Sequence, residues 1–169
     1  MKDNRIILEN KETLVCGDFK FKCAIGKNGI IKNKKEGDKK TPEGIFKIGS
    51  LFYRQDRKKK PQTKLNCVII KKTMGWCDDP DSKKNYNKLI NVNKNTNFNY
   101  EKLYRNSSEY NYFIPIKYNT KKREVGKGSA IFIHLTKNYK KTAGCISLKE
   151  KDFLILLKLI NKNTKLKVN

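Results

Sequence analysis

The sequence predicts a mainly β domain of mixed and antiparallel strands, with one helix near its C-terminal end. Three observations carry this. The first half is built of short, partly alternating apolar segments divided by turn residues. The segment "SAIFIHL" alternates most clearly of all, and after Cys145 the apolar period lengthens from that of a strand to that of a helix. At 169 residues the chain reads as one domain over 1–169, large enough to bury a core without disulfides.

In order, "RIILEN", "TLVCG" and "FKFKCAIG" read as strands of an antiparallel meander, with "GKNG" as a turn. "KKEGDKKTPEGIFKIG" is a charged loop running into a further strand. Residues 54–64, "RQDRKKKPQTK", read as a solvent-exposed connection, and "CVIIK" as a buried strand. Residues 71–110 are rich in Asn, Asp and Lys and read as an irregular loop or lid insertion that carries "GWCDDP". "YFIPIKY" and "SAIFIHL" restore strand character. Ser147 and Glu150 fit a capping box, which places Cys145 just before a helix whose apolar stripe is Phe153, Leu154, Leu157 and Ile160. "KLKV" closes the chain as a last strand.

A formal charge of +24, from 40 basic and 16 acidic residues, raises the question of a polyanionic partner. Only five of the basic residues are Arg, however, and bidentate phosphate recognition favours Arg. The lysines are spread through the chain among many Asn, so the charge reads as a biased, solvated surface and no nucleic-acid partner is expected. Cys16, Cys23, Cys67, Cys77 and Cys145 form no C-x-x-C pair, and with one His they suggest no metal site. The N-terminal segment has no apolar run of a secretory signal, and no stretch is long enough to span a membrane.

Two residues carry the chemistry. Alternation puts Ile131 and Ile133 on one face of their strand and Ala130, Phe132 and His134 on the other. Ten residues separate His134 from Cys145, short enough for neighbouring strands to bring imidazole and thiol together. A thiol acts as a nucleophile when a base takes its proton, and His134 is the only histidine. A backbone carbonyl could orient the ring, since no Asp or Asn is compelled to do so. Gly144 clears space beside the sulfur, and Thr142 could add a hydroxyl to an oxyanion site. The alternative reading is a packed cysteine and a structural histidine.

"IFIH" followed by "TAGCIS", with "TPEGIF" upstream, resembles the L,D-transpeptidase family, the YkuD domain. The resemblance spans from about Cys23 to Ile160. It implies a β-sandwich with a helix following the nucleophile. It also implies that Cys145 is the nucleophile, that His134 moves the proton, and that Thr142 and Gly144 shape the oxyanion site with the Cys145 N–H. Two departures stand out: the family's histidine before Gly-Cys is Ala143, and its Asn or Arg two residues after the nucleophile is Ser147. Arg105 is the candidate to take over that carboxylate contact.

The implied function is thiol-based acyl transfer on peptidoglycan stem peptides by a monomer that needs no cofactor, in the cell envelope, although a cytoplasmic location stays open without a signal. Two alternatives remain. One is an L,D-carboxypeptidase or amidase that uses water at the same site. The other is a noncatalytic basic module that binds polyanions.

Overall fold

The computed structural model describes residues 5–169; residues 1–4, at the head of the segment read as lacking a signal, lie outside the described residues. The strands are β1 (Arg5–Asn10), β2 (Thr13–Cys16), β3 (Phe19–Ala24), β4 (Ile30–Ile31), β5 (Thr41–Pro42), β6 (Gly44–Lys47), β7 (Leu51–Tyr53), β8 (Cys67–Ile69), β9 (Met74–Cys77), β10 (Leu89–Asn91), β11 (Tyr100–Lys102), β12 (Tyr112–Pro115), β13 (Phe132–Leu135), β14 (Ile146–Leu148) and β15 (Lys165–Val168), with one helix, α1 (Glu150–Leu159).

Ten strands form one curled mixed sheet in the order β6-β15-β1-β2-β3-β14-β13-β12-β7-β8. The meander β1–β3 is antiparallel, as its turns require, whereas β13 and β14 run parallel. An Ile48–Ile116 bridge ties the chain after β6 to the chain after β12, so the sheet curls back on itself. Its concave side holds a core of Ile6, Leu14, Ile133, Leu148 and Leu166, onto which α1 packs Phe153, Leu156 and Leu157. This is the mainly β, sandwich-like architecture with a single helix that the sequence predicts.

The two faces of β13 separate two cores, and this is what positions the site. Ile131, Ile133 and Leu135 join the concave core. Ala130 and Phe132 face a second cluster with Phe52, Trp76, Phe113 and Cys145. Residues 71–110 cover that second face and carry more regular structure than their composition suggests: β10-β9-β11 is an antiparallel three-stranded sheet. Trp76 pins it edge-on to Phe132 at 5.1 Å, and its indole N–H donates to Asn87 Oδ1 at 2.9 Å.

Three local expectations are corrected. The capping box does not form: the residue before α1 is Lys149, with no side-chain cap, and Ser147 sits in β14 paired to His134 and Ala24. Glu150 instead accepts from Lys58 Nζ at 2.6 Å. A strand therefore separates Cys145 from the helix, and α1 cannot polarise the thiol, because a helix terminus acts over about one turn. "CVIIK" gives an edge strand, β8, with Ile69 exposed, rather than a buried one. Finally, Arg54, at the head of the connection read as exposed, is buried. It pairs with Asp56 at 2.7 Å and donates to the Arg105 carbonyl, tying down the loop that bears Arg105 and Glu109.

Candidate active site

One cleft of about 800 Å³ opens on the second face of β13, lined by His134, Cys145, Thr142, Arg105 and Ser147 among others. Parallel register sets Ile133 opposite Ile146 and His134 opposite Ser147, so Cys145 lies beside Phe132. Side chains two residues apart share a face. Cys145, Ser147, Phe132 and His134 therefore all project to the same side.

The loop that delivers Cys145 is held from behind by distant chain. The backbone of Thr142 is stitched to the end of β3: its N–H donates to Ile25 O at 3.0 Å and its carbonyl accepts from Lys27 N–H at 2.9 Å. Thr142 Oγ1 donates to the Cys145 carbonyl at 2.6 Å and accepts from the Gly144 N–H at 3.1 Å, so this hydroxyl is engaged within the turn. Gly144 has φ +145°, and a Cβ there would meet Lys40 O at 2.9 Å, so the position demands glycine. Thr41, from "TPEGIF", is fully buried and bridges two elements. It accepts from the Gly26 N–H at 3.0 Å and donates to the Gly144 carbonyl at 2.9 Å. The two separated motifs meet physically at that bond.

Thr41→Val should strand both partners in the interior, at about 1–3 kcal/mol each. We expect melting to fall by on the order of 10 °C, with Thr41→Ser close to wild type, as checked by thermal denaturation.

His134 is half-buried against Tyr110, with ring centroids 5.5 Å apart. Its Nδ1 lies 2.8 Å from the Leu135 carbonyl. A carbonyl only accepts, so Nδ1 carries the proton and Nε2 keeps a lone pair. This is the backbone orientation that the sequence left available. Burial, with a smaller contribution from Arg105, lowers the imidazole to about 4 against the opposing pull of the Leu135 bond and Glu109.

Cys145 Sγ accepts from the Phe132 N–H at 3.3 Å and contacts the Ala130 carbonyl at 3.4 Å, as an S–H donor. Burial, with a smaller contribution from Glu101, pushes the thiol up to about 12, although the Phe132 N–H, Arg105 and Lys34 act against it. The resting pair is thus neutral thiol and neutral imidazole, and no hydrogen bond joins them among the described residues. All five cysteines are free.

Arg105 reaches the cleft but is already engaged: its guanidinium bonds Glu101 at 2.7 Å and lies over the Tyr110 ring at 4.2 Å. Tyr110 also donates to Glu101. Sequence reasoning missed Lys34, a buried cation on the cleft wall, 2.5 Å from Asp38. It also missed Glu109. Among the described residues, the buried side-chain polar atoms with no hydrogen-bond partner are Asp78 Oδ1, Glu109 Oε2 and Ser147 Oγ, and all three belong to residues lining this cleft. No group of His, Cys, Asp and Glu able to hold a metal occurs among the described residues, and no helix there is long and apolar enough to cross a membrane.

The chain matches the family model of the L,D-transpeptidase catalytic domain, YkuD, over residues 3–168. No curated protein and no solved structure matches it.

Proposed function

Because the chain belongs to the L,D-transpeptidase catalytic-domain family, we propose that it cross-links peptidoglycan stem peptides through a thioester on Cys145, with His134 as the proton carrier. The observation that carries this reading is the pairing of β13 with β14. It sets an imidazole with a free Nε2 and a cysteine on one face of one cleft.

In this mechanism His134 Nε2 takes the thiol proton as sulfur attacks the carbonyl of the diamino acid at the stem's third position. The Cys145 N–H, in a turn held by Thr142 and Gly144, faces the developing oxyanion. The proton passes to the departing terminal D-amino acid, leaving a thioester. An amine from a second stem then attacks the thioester, and the thiol is restored. Arg105 is the candidate for the donor's carboxylate. This substrate places the site of action in the cell envelope.

Incubation with a disaccharide-tetrapeptide tests the reading by intact-protein and product masses. An acyl adduct and a dimer lacking one terminal D-amino acid are expected. Tripeptide without dimer would replace the reading with a carboxypeptidase, and no adduct would overturn it.

The neutral resting pair sets the pH dependence. A base must be unprotonated, and His134 becomes protonated only as pH falls through about 4. Acylation by the free enzyme should therefore hold its rate well below pH 6.5, the region where an ordinary imidazole would fail. Stopped-flow acylation across pH 4–9 checks this, and a midpoint near 6.5 would contradict it.

A further inference from the structure

Both flanks of His134 carry polar atoms with nothing to bind. Ser147 is its cross-strand neighbour, fully buried, and its Oγ has no partner among the described residues. On the other side, the Leu135 N–H donates to the Glu109 carbonyl at 3.0 Å, which fixes Glu109 at the end of β13 beside the imidazole. Ser107 hydrogen-bonds the Glu109 carboxylate and, with smaller contributions including the charge interaction with His134, keeps it ionised below the usual range. Its Oε2 is nonetheless buried and unpartnered. Buried polar atoms are ordinarily satisfied, so exceptions clustered in a cleft call for an explanation, and a bound ligand is one that supplies the missing partners.

The kind of ligand follows from the atoms. A carboxylate only accepts, a serine hydroxyl can accept, and Nε2 of His134 has a lone pair because Nδ1 holds the proton. Three acceptors, one of them anionic, suit a group with three N–H donors and a positive charge. Water brings two donors and no charge.

We propose that Glu109 and Ser147 hold the primary ammonium of the acceptor beside His134, so that the acyl-enzyme is resolved by an amine in preference to water. This rests on the acyl-transfer reading above. Glu109 and Ser147 are positioning residues for the second half-reaction. The ammonium loses two protons as it becomes the amide nitrogen. One leaves through His134 Nε2 to solvent, which frees the nitrogen lone pair to attack the thioester carbonyl. The other ends on Cys145 sulfur as the C–S bond breaks. The products are an amide, a thiol and one released proton.

The test forms the acyl-enzyme with a tetrapeptide donor and chases it with ethylamine, which is cationic at neutral pH, or with hydroxylamine, which is uncharged there. The ratio of amine product to hydrolysis product is read from the same acyl-enzyme. In Glu109→Gln the ethylamine concentration giving half-maximal aminolysis should rise about tenfold or more, as for loss of a charge-assisted hydrogen bond. Ser147→Ala should shift it in the same direction by less. The hydroxylamine ratio should stay within about twofold, which a general distortion of the cleft would not allow.

An unchanged ethylamine response in Glu109→Gln, an equal loss for both nucleophiles, or a wild-type acyl-enzyme that hydrolyses without responding to ethylamine would each overturn the ammonium site alone. Failure of the wild type to form any acyl-enzyme would instead remove the acyl-transfer reading, and this inference with it.

Discussion

Replacing Cys145 with alanine is expected to abolish acyl-enzyme formation, lowering turnover of a tetrapeptide donor by at least about 10³-fold, since loss of the proposed nucleophile leaves only binding and oxyanion contacts. The fold should survive with a modest deficit. Sγ is the acceptor for the buried Phe132 N–H, so its removal strands one donor, at about 1–3 kcal/mol. Cys145→Ser keeps an acceptor there and should melt closer to wild type while remaining nearly inactive, because a hydroxyl is a much poorer nucleophile than sulfur. Intact-mass detection of the adduct, together with thermal denaturation of the same samples, separates the two effects. Undiminished turnover in Cys145→Ala would rule out the thioester. Binding to acidic polymers that weakens with salt and ignores Cys145 would revive the reading of a basic binding module.

The features legible in the sequence were those decided locally. Residues 129–135 alternate because the two faces of β13 meet two different apolar clusters, so both the strand and the side on which His134 lies follow from period two. The terminal strand β15 and the apolar stripe of α1 followed for similar reasons. The capping box failed because its pattern is also local, whereas Ser147 is claimed by strands whose pairing residues, Ala24 and His134, lie elsewhere in the chain. Three residues of β-structure between a loop and a helix give no periodic signal of their own.

The support behind the candidate nucleophile was even less visible. Thr41 bonds Gly144 across 103 positions, and Lys34 is one lysine in a chain full of them until the fold buries it. Family resemblance marked "TPEGIF" as present, but the structure supplies the reason: its threonine clamps the loop bearing Cys145. Glu109 carries no signal in the sequence, because only the fold brings its unpartnered oxygen into the cleft that holds His134 and Cys145.

His134→Gln should leave a folded protein whose acylation rate falls by about 10²–10⁴-fold, the usual contribution of a positioned general base. It is the stronger of the two mechanistic tests, because a neutral resting pair makes the base indispensable: with the thiol pushed up to about 12, almost no thiolate exists at neutral pH without it. The same variant should change how stability depends on pH. His134 binds its proton at about 4 when folded and near 6.5 when unfolded, so the unfolded chain takes up more protons between those values. Its contribution to stability is therefore present above pH 6.5 and is lost as pH falls towards 4. The loss reaches at most about 3 kcal/mol, since the ring is only half-buried and solvent reaches it from the cleft. His134→Gln should flatten that part of the melting profile relative to wild type. Because this is the chain's single histidine, an NMR titration of the ring protons reads its folded pKa without ambiguity. A ring titrating near 6.5 would mean that the cleft does not exclude charge from the imidazole, and both the low acid limb of acylation and the low-pH loss of stability would disappear together.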